Sequence, residues 1–116
     1  MGRISKRTKK PTIRTQLKNW SRAVRDRDGN KCFLCGSNEH LQAHHILPKH
    51  GWKEYRLDLQ NGIALCAKCH SFGKWSVHNG ASLFFFLKLM IYRPLQFAHL
   101  KDIVLKEKQK ETRANG

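Results

Sequence analysis

Two Cys-x-x-Cys knuckles, "CFLC" at Cys32 and Cys35 and "CAKC" at Cys66 and Cys69, are separated by 30 residues. No other feature limits the possible folds of this chain so strongly. A two-residue spacer offers both sulfurs of a knuckle to one ion, and four thiolates in two knuckles suit tetrahedral zinc. Disulfides are the competing reading. The first ten residues, "MGRISKRTKK", hold no apolar run after their charges, so no secretory signal is expected and the thiols should stay reduced. With 116 residues there is room for one domain with a marginal core. Zinc contributes about 10–16 kcal/mol of binding free energy in small zinc peptides. A structural Zn²⁺ held by Cys32, Cys35, Cys66 and Cys69 would therefore decide whether this chain folds.

The charge points to the partner. The chain has 23 Lys and Arg against 8 Asp and Glu, a formal net charge of +15. A polyanion is the natural counterpart, and nucleic acid is the first choice. Eleven of the basic residues fall between Met1 and Lys31. Residues 1–11 read as a basic flexible arm that follows phosphates. The longest apolar run, "LFFFL" from Leu83 to Leu87, stops at Lys88 and is too short to span a bilayer. A soluble, cytoplasmic protein with no membrane partner is expected.

Periodicity divides the rest. Leu17, Trp20 and Val24 recur at helical steps, with Thr12 or Thr15 as cap and Gly29 near the end. Trp20 is expected in the core. After the first knuckle, "HLQAHHI" alternates as a short strand. Leu41, Ala43 and His45 share one side, and Gln42, His44 and Ile46 the other. Pro48 ends it. A loop follows, with a turn near Asn61–Gly62, then a second short strand, "IALC". "HSFGKWSVHNG" begins as a helix with Gly73 inside it. "SLFFFLKLMIY", capped by Ser82, is apolar on most sides and should be a buried helix. After Arg93–Pro94 an amphipathic helix is expected, with Leu95, Ala98 or His99, Ile103 and Leu105 inward. Residues 12–108 form one domain on this reading, with a core at about 32–79 and C-terminal helices at 80–108. Residues 109–116 are left as a fraying tail.

His44 and His45 stand side by side in "AHHILP". Neighbours on a strand face apart, so the two cannot serve one surface. Taken with "CFLCG" before and "LQNGIALCAKCH" after, the pattern resembles the HNH endonucleases in their four-cysteine zinc form. The resemblance runs from about Trp20 to His78. It implies an α+β fold, the small ββα-metal motif, treble-clef-like, with flanking helices.

Carried over by position, the resemblance makes His44 a ligand of a catalytic divalent ion. His45 becomes the general base that draws a proton from the attacking water, since a neutral histidine near its usual pKa suits that task. Asn61 pins the loop between the strands and so orients the base. His70, directly after Cys69, becomes a second metal ligand. Here the chain departs from the commonest pattern, because Lys74 stands where a histidine four residues on is usual. His78 is eight residues beyond His70, about 12 Å of rise on a straight helix. It can join the site only if the helix breaks, and Gly73 offers the place. His78 is assigned as third ligand on that condition. Arg56 and Lys74 are the candidate phosphate contacts.

The activity implied is metal-assisted hydrolysis of phosphodiester bonds in double-stranded DNA, by nicking or by double-strand cleavage. The ion could be Mg²⁺, Mn²⁺, Ni²⁺ or Zn²⁺. No sequence-reading module is evident, so specificity should be low and carried by phosphate contacts. Stand-alone proteins of this type and length are frequent in bacteriophages. That would put the chain in a host cytoplasm, with a packaging machine or another protein as possible partner. The alternative is a non-catalytic, zinc-stabilised nucleic-acid-binding module, or an RNA-binding protein of ribosomal type. Either explains the charge and the cysteines, but not His44, His45, Asn61, His70 and His78 in family order.

Overall fold

The computed structural model describes residues 11–72 and 82–115. Helix α1 (Ile13–Arg27) opens the described chain. Thr12 caps it, its hydroxyl accepting from the Thr15 N–H at 3.2 Å, which satisfies an amide left bare by the first turn. Trp20 and Val24 form its buried stripe. The helix ends at Asp28, and Gly29 and Asn30 reverse the chain at φ +70° and +56°.

Strands β1 (Leu41–His45) and β2 (Gly62–Cys66) pair antiparallel in a two-stranded ribbon, with Leu41 opposite Cys66, Ala43 opposite Ala64 and His45 opposite Gly62. The first knuckle docks on this ribbon through the Phe33 N–H, which donates to the Ala64 carbonyl at 2.9 Å. Two short 3₁₀ turns, Lys53–Tyr55 and Leu59–Asn61, shape the loop between the strands. A π-helical turn, Lys68–Phe72, follows β2. The expected turn at Asn61–Gly62 takes another form. Asn61 closes the second 3₁₀ turn and Gly62 starts β2 with extended backbone at φ −128°. Glycine is needed there for space, not for φ. A Cβ would stand 2.5 Å from Val24 Cγ2 and 2.6 Å from Trp20 Cζ2, and that lack of a side chain lets α1 lie directly on β2.

Helices α2 (Ser82–Tyr92) and α3 (Pro94–Asn115) close the other side. Phe85, Leu89, Leu100 and Ile103 join Cys32, Ile46, Ile63, Leu65 and Cys66 in one buried cluster. Two expectations fail here. Helix α2 is not buried on most sides. Only Phe85 and Leu89 are enclosed, while Leu83, Phe84, Leu87, Met90, Ile91 and Tyr92 stay exposed, Leu83 at 72%. The domain has too few layers to cover a second face of this helix. Helix α3 buries Gln96, Leu100 and Ile103, whereas Leu95 is 87% exposed, Leu105 is largely so, and Ala98 and His99 face out. Ile103 is buried as expected, but toward the start of the helix the inward positions shift by one residue, to Gln96 and Leu100 in place of Leu95 and His99. The cause of the shift is polar: the Gln96 amide donates to the carbonyls of Gln60 at 2.8 Å and Gly62 at 2.9 Å. A hydropathy pattern does not predict a buried glutamine. The helix also runs past residue 108 to Asn115. Among the described residues, no helix is long and apolar enough to cross a membrane.

Candidate functional site

The four cysteine sulfurs of the two knuckles lie within 4.8 Å of one another, with Cys35 Sγ and Cys66 Sγ 3.6 Å apart. Four sulfurs at about 2.3 Å around zinc would be about 3.8 Å apart, so the cluster has the size and the donors for a tetrahedral ion. Local folding makes the first knuckle. The Cys32 N–H donates to Ser37 O and the Gly36 N–H to Cys32 O, and Gly36 takes the φ of +80° that the tight bend requires. The thiols suit a cation. Burial opposes ionisation of Cys32, but the N–H groups of Cys66, Cys35 and Leu34 outweigh it and draw its pKa down to about 7. Burial and the neighbouring sulfurs push Cys69 and Cys35 up. One thiolate thus forms readily, whereas Cys35 and Cys69 ionise only against a compensating positive charge.

From this anchor β1 carries side chains to both faces of the ribbon. On one face His44 meets His70 of the π turn, ring centroids 5.0 Å apart and edge to face. The edge of Phe85 closes the other side of His44 at 5.7 Å. Gln42, two residues before His44 on the same face, accepts from His70 Nδ1 at 2.5 Å. An amide oxygen can only accept, so the proton sits on Nδ1 and Nε2 carries the lone pair. Two imidazoles at this separation, one with its tautomer held by a neighbour, fit as adjacent ligands of one divalent ion. Gln42 was not singled out from sequence; its period-two relation to His44 is the signal that could have found it.

On the opposite face His45 is half-buried and lies flat against Trp20, centroids 3.9 Å apart and planes 9° apart. His45 Nε2 donates to the Arg56 carbonyl at 2.9 Å. A carbonyl cannot donate, so Nδ1 is the basic nitrogen. Burial is the main cause holding His45 below its ordinary pKa, with the Lys49 charge adding to it; the Arg56 bond pulls the other way and loses. Trp20 is in the core, as expected, but it also forms the wall behind this histidine. Its Nε1–H donates to the Asp58 carbonyl at 2.8 Å.

The loop that supplies the Arg56 carbonyl is held by Asn61, which is fully buried. Its Oδ1 accepts from the Leu47 N–H at 2.7 Å, and its Nδ2 donates to the carbonyls of Leu47 and Tyr55 at 3.1 Å each. Both sides of the loop are thereby tied to one side chain. A second tie was not foreseen. Asp28, its carboxylate only 1% exposed, accepts from Arg27 Nε at 2.8 Å, Arg93 Nη2 at 3.0 Å and the Ala64 N–H at 2.8 Å. Burial alone would raise its pKa, but these hydrogen bonds and guanidinium charges lower it overall. Arg27 also donates to the carbonyls of Leu59 and Gly62 at 2.7 Å each. In sequence, Asp28 looks like an ordinary helix end.

Other candidates fall outside this arrangement. Lys74 and His78 lie outside the described residues. Arg56 enters the site by its carbonyl, and its side chain is half-buried. His99, expected with Ala98 as a choice for an inward position of the last helix, pairs its Nε2 with Asp58 Oδ2 at 2.8 Å.

Compared with known proteins, residues 32–72 match the family model described as HNH endonuclease. That stretch runs from the first knuckle to the end of the π turn, and includes all four cysteines, His44, His45, Asn61 and His70. Searches of curated proteins and of solved structures found no match.

Proposed function

We propose that this protein, whose residues 32–72 match the HNH endonuclease family model, is a metal-dependent endonuclease that hydrolyses phosphodiester bonds of double-stranded DNA with low sequence specificity. The observation that carries the reading is the division of labour across β1. His44 and His70 converge on one face, and His45 is held on the other by a backbone carbonyl. A divalent cation held by His44 and His70, with His78 as further ligand, would neutralise charge building on the phosphate and its leaving 3′ oxygen. His45 takes a proton from the attacking water through Nδ1. Its lowered pKa keeps it neutral, and so competent, at physiological pH. Trp20 and the Arg56 carbonyl fix the plane and tautomer of that ring, and Asn61 fixes the loop bearing the carbonyl. The four cysteines take structural zinc. Arg56 and Lys74 clamp neighbouring phosphates.

The test is cleavage of supercoiled plasmid with Mg²⁺, Mn²⁺ or Ni²⁺, wild type against His45→Ala. Wild type should convert plasmid to open-circle or linear form, and His45→Ala should bind DNA and keep zinc but lose cleavage by a factor of about 10²–10⁴. Equal cutting by both would remove His45 from the role of base. Binding without cutting under every metal would favour the non-catalytic module.

A further inference from the structure

Helix α1 carries a second feature that the cutting site does not use. We propose that its outer face is a separate binding surface for the backbone of duplex DNA, so that one chain holds a stretch of duplex other than the one at His45. The inference rests on the nuclease reading only in naming DNA as the polyanion.

Arg14, Lys18, Arg22 and Arg25 follow one another at steps of four, four and three. At 100° per residue they fall within about 80° of one another, on a face centred about 135° from that of Trp20 and Val24. Arg14, Lys18 and Arg22 are exposed and Arg25 is partly so. Trp20 is the residue stacked on His45, so this stripe and the catalytic candidate lie on different sides of the helix. From Arg14 to Arg25 the stripe is about 17 Å long, the axial length of about five base pairs.

An ordinary solvated helix face mixes its charges, with acids and bases pairing at i,i+4. This face does not. Among the described residues none of the four cations has a carboxylate partner, and Arg25 reaches only the Ser21 carbonyl at 3.3 Å. The acid nearest the stripe in sequence, Asp26, stands one turn past Arg22. Arg14–Lys18 and Lys18–Arg22 are like-charge i,i+4 pairs, which oppose helix formation. The first turn contains no acid, and Arg14 there runs against the helix dipole. For the helix alone the run Arg14, Lys18 and Arg22 is unfavourable; only Arg25 of the four, in the last turn, is favoured by the dipole. A row of phosphates would reverse the sign of each unfavourable effect. Five further basic residues, Arg3, Lys6, Arg7, Lys9 and Lys10, precede the helix in the chain.

The test compares the zinc-loaded full chain with two variants of equal charge change. One carries Arg14→Gln, Lys18→Gln, Arg22→Gln and Arg25→Gln; the other carries Lys101→Gln, Lys106→Gln, Lys108→Gln and Lys110→Gln on α3. Glutamine keeps helix propensity, so the α1 variant should melt no lower than wild type. Anisotropy on a labelled 40-base-pair duplex, without divalent metal, should show at least about a tenfold loss of affinity near 0.1 M NaCl. The salt slope should fall by about 3–4. The α3 variant should change far less. In a bridging assay, wild type on a bead-bound duplex should capture a second, labelled duplex, and the α1 variant should bind the bead without capturing it. Equal effects of the two variants, or bridging that survives the α1 changes, would overturn the proposal. Bridging by a chain that never cuts would sink the nuclease reading and leave this surface standing.

Discussion

Trp20 and His45 form a parallel stack, 3.9 Å between ring centroids, and the same indole donates to the Asp58 carbonyl. A residue on the first helix thus touches the candidate base and the loop that orients it. Trp20→Phe should retain most of the stack and lose the hydrogen bond, costing about 1–2 kcal/mol. It should lower kcat several-fold with little change in KM. Trp20→Ala should cost about 3–5 kcal/mol and abolish cleavage. Urea unfolding and plasmid kinetics measure both. A Trp20→Phe variant with unchanged kcat would mean that the indole N–H has no part in positioning His45.

The lowered pKa of His45 predicts the shape of the pH profile. The base works when neutral, so the single-turnover rate should rise with pH through an apparent pKa below 6.5 and be flat from about pH 7. The same shift is linked to stability. The unfolded chain takes up its proton first as pH falls, so stability is full above the unfolded pKa and is lost as pH drops through the folded one. Lys49→Gln removes one lowering cause and should move the acid limb upward. A limb that moves down, or an apparent pKa above 6.5, would contradict the assignment of the base.

Zinc should behave as part of the fold. Native protein should contain one tightly held zinc per chain, and stripping it should erase the cooperative melt seen by circular dichroism. Cys35→Ser, which removes one sulfur from the cluster, should lower zinc affinity by orders of magnitude. A metal-free chain that still melts cooperatively at the same temperature would show that the cysteines are merely buried thiols.

Gly62 makes a sharper test of packing. Its missing side chain leaves only enough room for Val24 and Trp20. Gly62→Ala should cost about 1–3 kcal/mol through overpacking. Adding Val24→Ala should recover part of that loss, although Val24→Ala alone destabilises. Two additive penalties in a double-mutant cycle would mean that the helix shifts freely and the contact is soft.

These residues also mark what could be read in advance. The knuckles, the strand carrying His44 and His45, and the cap at Thr12 depend on spacings of a few residues, and were legible. Two misreadings depend on distant partners. Gln96 sets the phase of α3 by bonding to carbonyls more than thirty residues away. The outer face of α2 is exposed because no further layer covers it, and local apolarity does not reveal that. Within the site, Gln42 and the Arg56 carbonyl went unseen for a related reason. One is an ordinary polar residue on a strand, and the other is backbone, which has no residue signature.

The tie at Asp28 bears on where this protein can be cut. Arg93 reaches the Asp28 carboxylate from the junction of the last two helices, and Phe85 and Leu89 close over Ile63 and Leu65. The stretch that bears the family's signature is therefore shorter than the stretch that can bury itself. An excised 32–72 peptide would keep every cysteine and most of the histidines, yet leave the Asp28 carboxylate, both of its arginines and half a core behind. Any minimal version for engineering or transplantation must begin before Trp20 and extend beyond Ile103.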